Sequence, residues 1–224
     1  MSRHLNAHRA WPLRVGCAKL ATAGGAAGLS IPRMEGGTMD LVARARNIVS
    51  APKDEWAAIA HERTSTAELY TGYVAPLAAV APVATILGNL FGGPLSVNKS
   101  IVVGLARFAM ALLGVYVIGR IAAKIAPAFG GKDDLAQGIK LVAYAYTAAW
   151  IAGVLALIPA LAILSMIGGI YSLYLLYTGT SVMMGVPQER AVGYTAVVIL
   201  VAIAVYLLVG IAAGSVVTIV TVMR

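Results

Sequence analysis

Leu141 to Gly185 reads LVAYAYTAAWIAGVLALIPALAILSMIGGIYSLYLLYTGTSVMMG, a run of 45 residues without a charged side chain. A membrane-spanning helix needs about 20 apolar residues to cross a hydrocarbon core of about 30 Å. One helix of this length would extend about 68 Å, which is far too long for a single crossing. The run therefore predicts two spans, over about 141–158 and about 161–183, that turn back on each other at Pro159.

Three further apolar stretches bring the predicted number of spans to five. Span one is predicted over Leu69–Phe91, which carries no charge, and span two over Ile101–Ala123, which contains Arg107. The last stretch, Ala191–Met223, is longer than one crossing needs, so it must tilt, kink near its glycines or extend beyond the bilayer. The fold class predicted from this pattern is an all-α polytopic membrane protein with five transmembrane helices.

The overall composition agrees with this prediction. Hydrophobic residues make up 60% of the 224 residues and charged residues 12%, whereas a soluble domain is about 45–50% apolar and about 25% charged. These values exclude a disordered chain, a disulfide-rich secreted scaffold and an ordinary soluble enzyme. Cys17 is the single cysteine, so no intrachain disulfide can form. We attribute the formal net charge of +8 to a membrane surface, and we expect no nucleic-acid partner.

The loop charges predict how the spans are oriented. With the N-terminus in the cytoplasm, the inner flanks carry seven basic residues and the outer side carries two. The inner residues are Lys53, Arg63, Arg120, Lys124, Lys132, Lys140 and Arg190, and the outer residues are Lys99 and Arg224. Because basic residues concentrate on the cytoplasmic side of membrane proteins, we expect the C-terminus to lie outside.

Three regions are expected along the chain. Residues 1–38 carry five basic residues and one acidic residue, and they lack the uninterrupted apolar core of a signal peptide. We interpret them as a disordered segment or as a mis-annotated extension upstream of a start at Met39. Residues 39–67 are expected to form cytoplasmic membrane-proximal helices, and residues 68–224 the five-span domain.

Two short amphipathic helices are predicted ahead of span one. Residues 40–49 place Leu41, Ala45 and Ile48 on one face, with Arg44 and Arg46 at its edges, where both can snorkel to lipid head groups. Pro52 suits the start of the next helix. Whether these helices lie in the membrane interface or pack on the protein's own inner loops remains open from the sequence.

The predicted spans hold almost no ionisable chemistry. All nine acidic residues and all three histidines lie outside them, so the sequence predicts no catalytic residues, no metal site and no cofactor. We therefore expect a protein that is not an enzyme. Ser65 and Glu68 form a predicted capping box at the base of span one, and Asp134 is a predicted cap of span three.

Four residues are candidates for contact with a ligand or lipid. Arg107 lies about 9 Å into span two, where it either binds an anionic group or snorkels to the outer interface, the reading that we favour. Tyr171, Tyr174 and Tyr177 follow one another at helical spacing in span four. Such a stripe either lines a solute path or is a seam of helix packing next to Gly168 and Gly169.

Several short motifs are similar to those of a known family. They are Pro52 and Trp56 in APKDEW, Tyr73 and Pro76 in GYVAP, residues 143–147 (AYAYT) with Trp150, Ile158-Pro159, residues 169–179 (GIYSLYLLYTG), and Val186-Pro187 with Arg190-Ala191. Together with the five spans, they resemble the YIP family (Ypt/Rab-interacting proteins) in its bacterial branch, over about 40–220. Members usually have a proline after the threonine of span three. Ala148 stands there in this chain, which argues against a helix break at Thr147.

The resemblance implies a fold and topology but no catalytic residues. Eukaryotic relatives are membrane adaptors that contact small GTPases and associate with each other, but prenylated partners of that kind are absent from bacteria, so we expect no small-GTPase binding. We expect a non-enzymatic protein of the bacterial inner membrane that acts as a scaffold or in envelope organisation, as a homo-oligomer or with other membrane proteins. The alternative is a small-solute or lipid transporter or channel that uses Arg107 and the tyrosines of span four.

Overall fold

The computed structural model describes residues 40–91, 96–157 and 162–222, and within them it contains helices and turns but no β-strand. The helices are α1 (Leu41–Ser50), α2 (Pro52–His61), α3 (Thr66–Leu69), α4 (Ala75–Leu90), α5 (Val97–Ile125), α6 (Leu135–Ala145), α7 (Thr147–Ala152), α8 (Ala162–Met184) and α9 (Gln188–Val222). A π-helical turn at Tyr70–Val74 joins α3 to α4, and 3-10 turns follow α5 at Ala126–Phe129 and α7 at Gly153–Leu157. The predicted segment 1–38 and the predicted turn at Pro159 lie outside the described residues.

Five of the helical segments are long and apolar enough to cross a bilayer, which confirms the predicted all-α polytopic fold. Spans one to five are Thr66–Leu90, Val97–Phe129, Leu135–Leu155, Ile163–Met184 and Gln188–Leu208. Helix α9 continues beyond span five as one helix to Val222, a length of about 52 Å that exceeds the hydrocarbon core.

Polar caps, rather than the first apolar residues, fix where two of the spans begin. Ser65 Oγ accepts a hydrogen bond from Glu68 N, while Glu68 Oε2 accepts one from Ser65 N. Asp134 Oδ1 accepts a hydrogen bond from Gln137 N. Both predicted caps are confirmed. They start spans one and three several residues before the predicted positions, because a capped first turn is stable without apolar side chains.

Span three lies at the centre of the bundle. Every residue from Gly138 to Ala145 is buried, including the charged Lys140. Helix α6 packs against spans two and four, and helix α7 packs against spans four and one. Span five packs against spans two and four.

Small residues allow spans two and three to cross closely. A Cβ at position 138 would lie 2.5 Å from the Gly119 carbonyl oxygen, and a Cβ at position 119 would lie 2.7 Å from Ile139 Cα. These neighbours are backbone atoms that cannot rotate away, so the crossing needs glycine at both positions. Gly168 of span four similarly faces the Ala148 carbonyl oxygen and the Ala152 side chain, as its predicted role in close packing requires.

Span three is interrupted at Tyr146, between α6 and α7, where the sequence argued against a helix break. The interruption does not depend on a proline. Ala149 N donates a hydrogen bond to Ser172 Oγ of span four at 3.0 Å, and Thr147 Oγ1 is hydrogen-bonded to the Tyr73 hydroxyl of span one at 2.7 Å. The irregularity is confined to Tyr146, which keeps helical backbone angles, and the bonds from Tyr146 N to the Val142 carbonyl oxygen and from Trp150 N to the Tyr146 carbonyl oxygen continue the span across it.

Helices α1 and α2 form a unit that we call the N-terminal hairpin (Leu41–His61). Asp40 caps α1, its Oδ1 accepting a hydrogen bond from Ala43 N, and Pro52 opens α2. Of the two placements left open by the sequence, the structure shows packing on the protein itself, because Ile48, Trp56 and Ile59 are fully buried and α2 lies against span four.

Candidate functional site

The N-terminal hairpin covers a group of buried and half-buried polar side chains, which we call the polar cluster: Arg44, Glu55, Glu62, Tyr73, Lys140, Tyr144 and Thr147. Its members come from the hairpin, from the loop after it and from spans one and three. Because hydrogen bonds and ion pairs join these side chains from separate parts of the chain, we take the cluster as the candidate functional site.

Arg44 connects the two helices of the hairpin. Its guanidinium donates a hydrogen bond to Glu55 Oε1 at 2.6 Å and another to Glu62 Oε1, and it lies 6.0 Å from the centre of the Tyr144 ring. Only 7% of Arg44 is exposed. The sequence indicated that Arg44 can snorkel to lipid head groups; instead its side chain turns inward, because two carboxylates and an aromatic face compensate its charge there. Arg46 remains exposed.

The surroundings of Arg44 keep it charged. Burial by itself lowers the pKa of the guanidinium, but the hydrogen bond and the negative charge of Glu62 outweigh it, and the pKa lies above its ordinary value. Tyr144 and Glu55 act in the same direction. The group is therefore a permanent cation, with no proton to exchange at physiological pH.

Two side chains of span three close the C-terminal end of α2. Lys140 Nζ donates a hydrogen bond to the Glu62 carbonyl oxygen at 2.6 Å, and Gln137 Nε2 donates one to the Ala60 carbonyl oxygen at 3.3 Å. Donors at this position satisfy carbonyl groups that have no partner within the helix, and the Lys140 charge is favourable at the negative end of the helix dipole. Lys140 is only 4% exposed, so this contact joins the hairpin firmly to span three.

The cluster continues into the membrane along one face of span three. Lys140, Tyr144 and Thr147 follow at i, i+4 and i+7 and are all buried. The Tyr144 ring lies 4.6 Å from the Tyr73 ring, centre to centre, and 6.3 Å from that of Trp56. Tyr146 lies on another side of span three, against Trp150 and Tyr206.

Span four holds the other edge of the hairpin. Trp56 Nε1 donates a hydrogen bond to Thr178 Oγ1 at 3.2 Å, and the Tyr171 hydroxyl donates one to the Val49 carbonyl oxygen at 2.7 Å. A Cβ at Gly179 would lie 2.6 Å from the Trp56 ring, so glycine is needed there for the indole to dock. The hairpin is thus bonded to spans three and four at once.

The structure does not gather the four residues that the sequence proposed for ligand or lipid contact. Arg107 is exposed on span two. The Tyr171 and Tyr174 rings lie 5.5 Å apart, centre to centre, and Tyr171 is bonded to the hairpin. Tyr174 and Tyr177 are 44% and 37% exposed, so they face away from the bundle.

The contacts of the cluster anchor the hairpin to the spans. The charged groups of the cluster are engaged with each other or with backbone carbonyls, and the described residues contain no group of three His, Cys, Asp or Glu side chains that can hold a metal ion. Sequence reasoning missed the cluster, although the position of Lys140 directly before the uncharged run of span three was a signal of a buried cation.

The Tyr73–Thr147 hydrogen bond yields a specific prediction. Replacing Tyr73 with phenylalanine or Thr147 with valine should lower the free energy of unfolding by about 0.6 to 1.7 kcal/mol, the range measured for hydrogen bonds between membrane helices. The double variant should cost less than the sum of the single ones, because both remove the same bond. Unfolding by SDS in mixed micelles measures the three values, and strictly additive losses would contradict the predicted coupling.

Five apolar spans, of which span three is the most buried, and a short hairpin bonded to them define a polytopic α-helical membrane protein. The family model described as the Yip1 domain matches residues 46–211, and the chain belongs to this family. The sequence-based resemblance is thereby confirmed.

Two curated relatives carry the same name. The inner membrane protein YohC of Escherichia coli strain K12 is 25% identical over 160 residues, which cover 66% of this chain and 82% of that protein. The protein of the same name from Escherichia coli O6:H1 strain CFT073 matches to the same extent. No solved structure matches the chain.

Proposed function

We propose that the protein is a non-enzymatic scaffold of the bacterial inner membrane, which acts by contact between its spans and those of other copies or other membrane proteins. Membership of the Yip1 family and similarity to a protein named as an inner membrane protein support the location. The proposal for the role depends on where the structure places the charged side chains and the exposed apolar ones.

The observation that carries the proposal is that the charged groups of the polar cluster bind each other or backbone carbonyls, while span four presents an apolar outer surface. Span four presents an outward face of large side chains: Ile163, Met166, Ile167 and Ile170 are 62–70% exposed, and Tyr174 and Tyr177 continue the same face. Such a helix face can pack against another helix through van der Waals contact, which drives helix association in lipid.

A photoreactive amino acid at Ile167 tests this role in native membranes. Two copies of the chain with different affinity tags, expressed together, distinguish crosslinking to a second copy from crosslinking to another membrane protein. The same probe at Leu113, which is 52% exposed on span two, is the matched control. We expect discrete protein adducts at Ile167 in excess of those at Leu113. Lipid adducts alone at both positions would contradict the proposal.

The exposed position of Arg107 supports anchoring in place of the transport alternative. We propose that its long side chain reaches the outer head-group region by snorkelling. Arg107→Ala should then leave expression, the amount of co-purified anionic lipid and liposome permeability unchanged. A change in lipid retention or in solute flux, with normal expression, would favour the transporter.

The orientation inferred from loop charges gives another prediction. Reporter fusions after Lys132 and Pro187 should be active only as cytoplasmic reporters, and fusions after Lys99 and Arg224 only as external ones, because basic residues concentrate on the inner side. Paired alkaline phosphatase and green fluorescent protein fusions measure this. A fusion after Arg224 that is active only in the cytoplasm would refute the proposed topology.

A further inference from the structure

A cavity of about 100 Å³ lies inside the bundle, between span three and span five. Spans two to five all contribute to its walls, which include Ile118, Val142, Tyr146, Gly169, Leu173 and Ala202. The cavity adjoins the interruption of span three at Tyr146. Tyr146 keeps helical backbone angles, and the hydrogen bonds from Tyr146 N to the Val142 carbonyl oxygen and from Trp150 N to the Tyr146 carbonyl oxygen carry the span past the cavity.

The side chains that line the cavity favour a hydrocarbon ligand over a polar one. Most lining side chains are aliphatic, and the polar groups among them are already engaged within the protein. Ser172 Oγ accepts the hydrogen bond from Ala149 N, and the Tyr146 hydroxyl is bonded to Tyr206. A polar ligand would have to break these bonds or lose its own hydration without compensation, whereas an apolar group would not.

The size and position of the cavity indicate which apolar group fits. A dry cavity of about 150 Å³ with apolar walls holds a benzene molecule, so a space of 100 Å³ suits a short piece of a hydrocarbon chain. Leu173 lines the cavity and is also 44% exposed, so this single side chain separates the cavity from the lipid-facing surface of span four. An acyl chain can therefore enter with its terminal part and leave the remainder in the bilayer.

The lack of a side chain at Gly169 leaves room for the cavity beside span four. A Cβ at this position would meet no atom within 4 Å, although Gly168 next to it is tightly packed against span three. Two adjacent glycines thus have different surroundings: one permits helix contact and the other borders the cavity.

We propose that this cavity binds the terminal part of an acyl chain of a bilayer phospholipid. The site is separate from the helix contacts proposed above and does not depend on the scaffold role. It also differs from Arg107 and the exposed tyrosines of span four, which contact lipid only from outside the bundle.

Photolabelling tests the proposal with the full-length protein in liposomes that contain phosphatidylethanolamine with a diazirine near the end of one acyl chain. The decisive positions are Ile118 and Val142, which line the cavity and are 1% and 0% exposed. Lipid that only surrounds the protein cannot reach them. We expect mass spectrometry to find label on Val142 or Ile118 in the wild-type protein.

Variants that fill the cavity should abolish this label. Gly169→Leu fills it from span four and Ala202→Leu from span five, and either should reduce labelling of Val142 by about tenfold, because close-packed side chains leave no room for the chain end. Gly210→Leu, at an exposed position with open space around it, is the matched control and should label like the wild type. Label confined to exposed residues such as Leu173 in the wild type would overturn the proposal, as would undiminished labelling of Val142 in both filled variants.

Discussion

Replacing Arg44 with methionine is expected to loosen the N-terminal hairpin from the spans. Methionine replaces the aliphatic part of the arginine side chain but leaves the Glu55 and Glu62 carboxylates without their cation. Removing one partner of a buried ion pair costs about 3–5 kcal/mol, and since Glu62 is 30% exposed and retains some contact with water, we expect a cost near the lower end of this range. A loss of about 3 kcal/mol raises the population of the detached hairpin roughly a hundredfold.

Hydrogen exchange of the backbone amides in α1 and α2 measures this opening directly. Arg46→Met is the matched control, because Arg46 lies on the same helix but is exposed. In this variant the backbone amides of α1 and α2 should exchange at the wild-type rate. Changing Glu55 and Glu62 to glutamine in the Arg44→Met protein should restore much of the protection, since no unpaired charge is then buried. Equal exchange in the Arg44→Met and Arg46→Met proteins would show that the ion pairs do not hold the hairpin.

The second large loss of stability is expected from substitutions at the crossing of spans two and three. Gly138→Ala would place a Cβ 2.5 Å from the Gly119 carbonyl oxygen and 3.1 Å from the Ala123 Cβ. The helices must move apart to admit it, and overpacking of this kind costs about 1–3 kcal/mol, more when rigid backbone is the obstacle. We expect Gly138→Ala to be strongly destabilising, and Gly138→Leu to prevent accumulation of the folded protein in the membrane.

Unfolding by SDS in mixed micelles measures the free energy of unfolding of Gly138→Ala, with a substitution at a glycine surrounded by open space as the control. The Cβ added by Gly210→Ala meets no atom within 4 Å. This variant should have wild-type or slightly higher stability, because alanine favours a helix more than glycine by about 1 kcal/mol. Gly119→Ala should resemble Gly138→Ala, since its Cβ would meet the backbone of Ile139. Stabilities of all three variants within 0.5 kcal/mol of the wild type, roughly the usual range of neutral surface changes, would contradict the proposed crossing.

Local patterns in the sequence were sufficient to predict the spans and their caps. The uncharged run from Leu141 predicted two spans, and Ser65 with Glu68 and Asp134 predicted two helix starts, because each signal lies within a few adjacent residues. The ends of the spans were less accurate, since the capped turns begin before the apolar residues do. Neither the hydrophobic pattern nor the loop charges depend on how the helices pack.

The polar cluster depended on contacts that no local pattern contains. Arg44 is separated by 11 residues from Glu55 and by 18 from Glu62, and whether it meets them or a lipid head group depends on the fold of the hairpin. The irregularity at Tyr146 likewise depends on Ser172, 23 residues from Ala149 along the chain. Gly168 and Gly169 cannot be distinguished by sequence, because only the packing of spans three to five decides which one borders the cavity.

The scaffold proposal is tested most directly by the composition of particles extracted from native membranes with a polymer that keeps the surrounding lipid. Native mass spectrometry of these particles gives the number of chains in each one. The account predicts particles that contain two or more copies of the chain, or one copy with another membrane protein, and predicts that a polar substitution at Ile167 disrupts them. Particles that contain a single chain with lipid alone, at the native expression level, would contradict it.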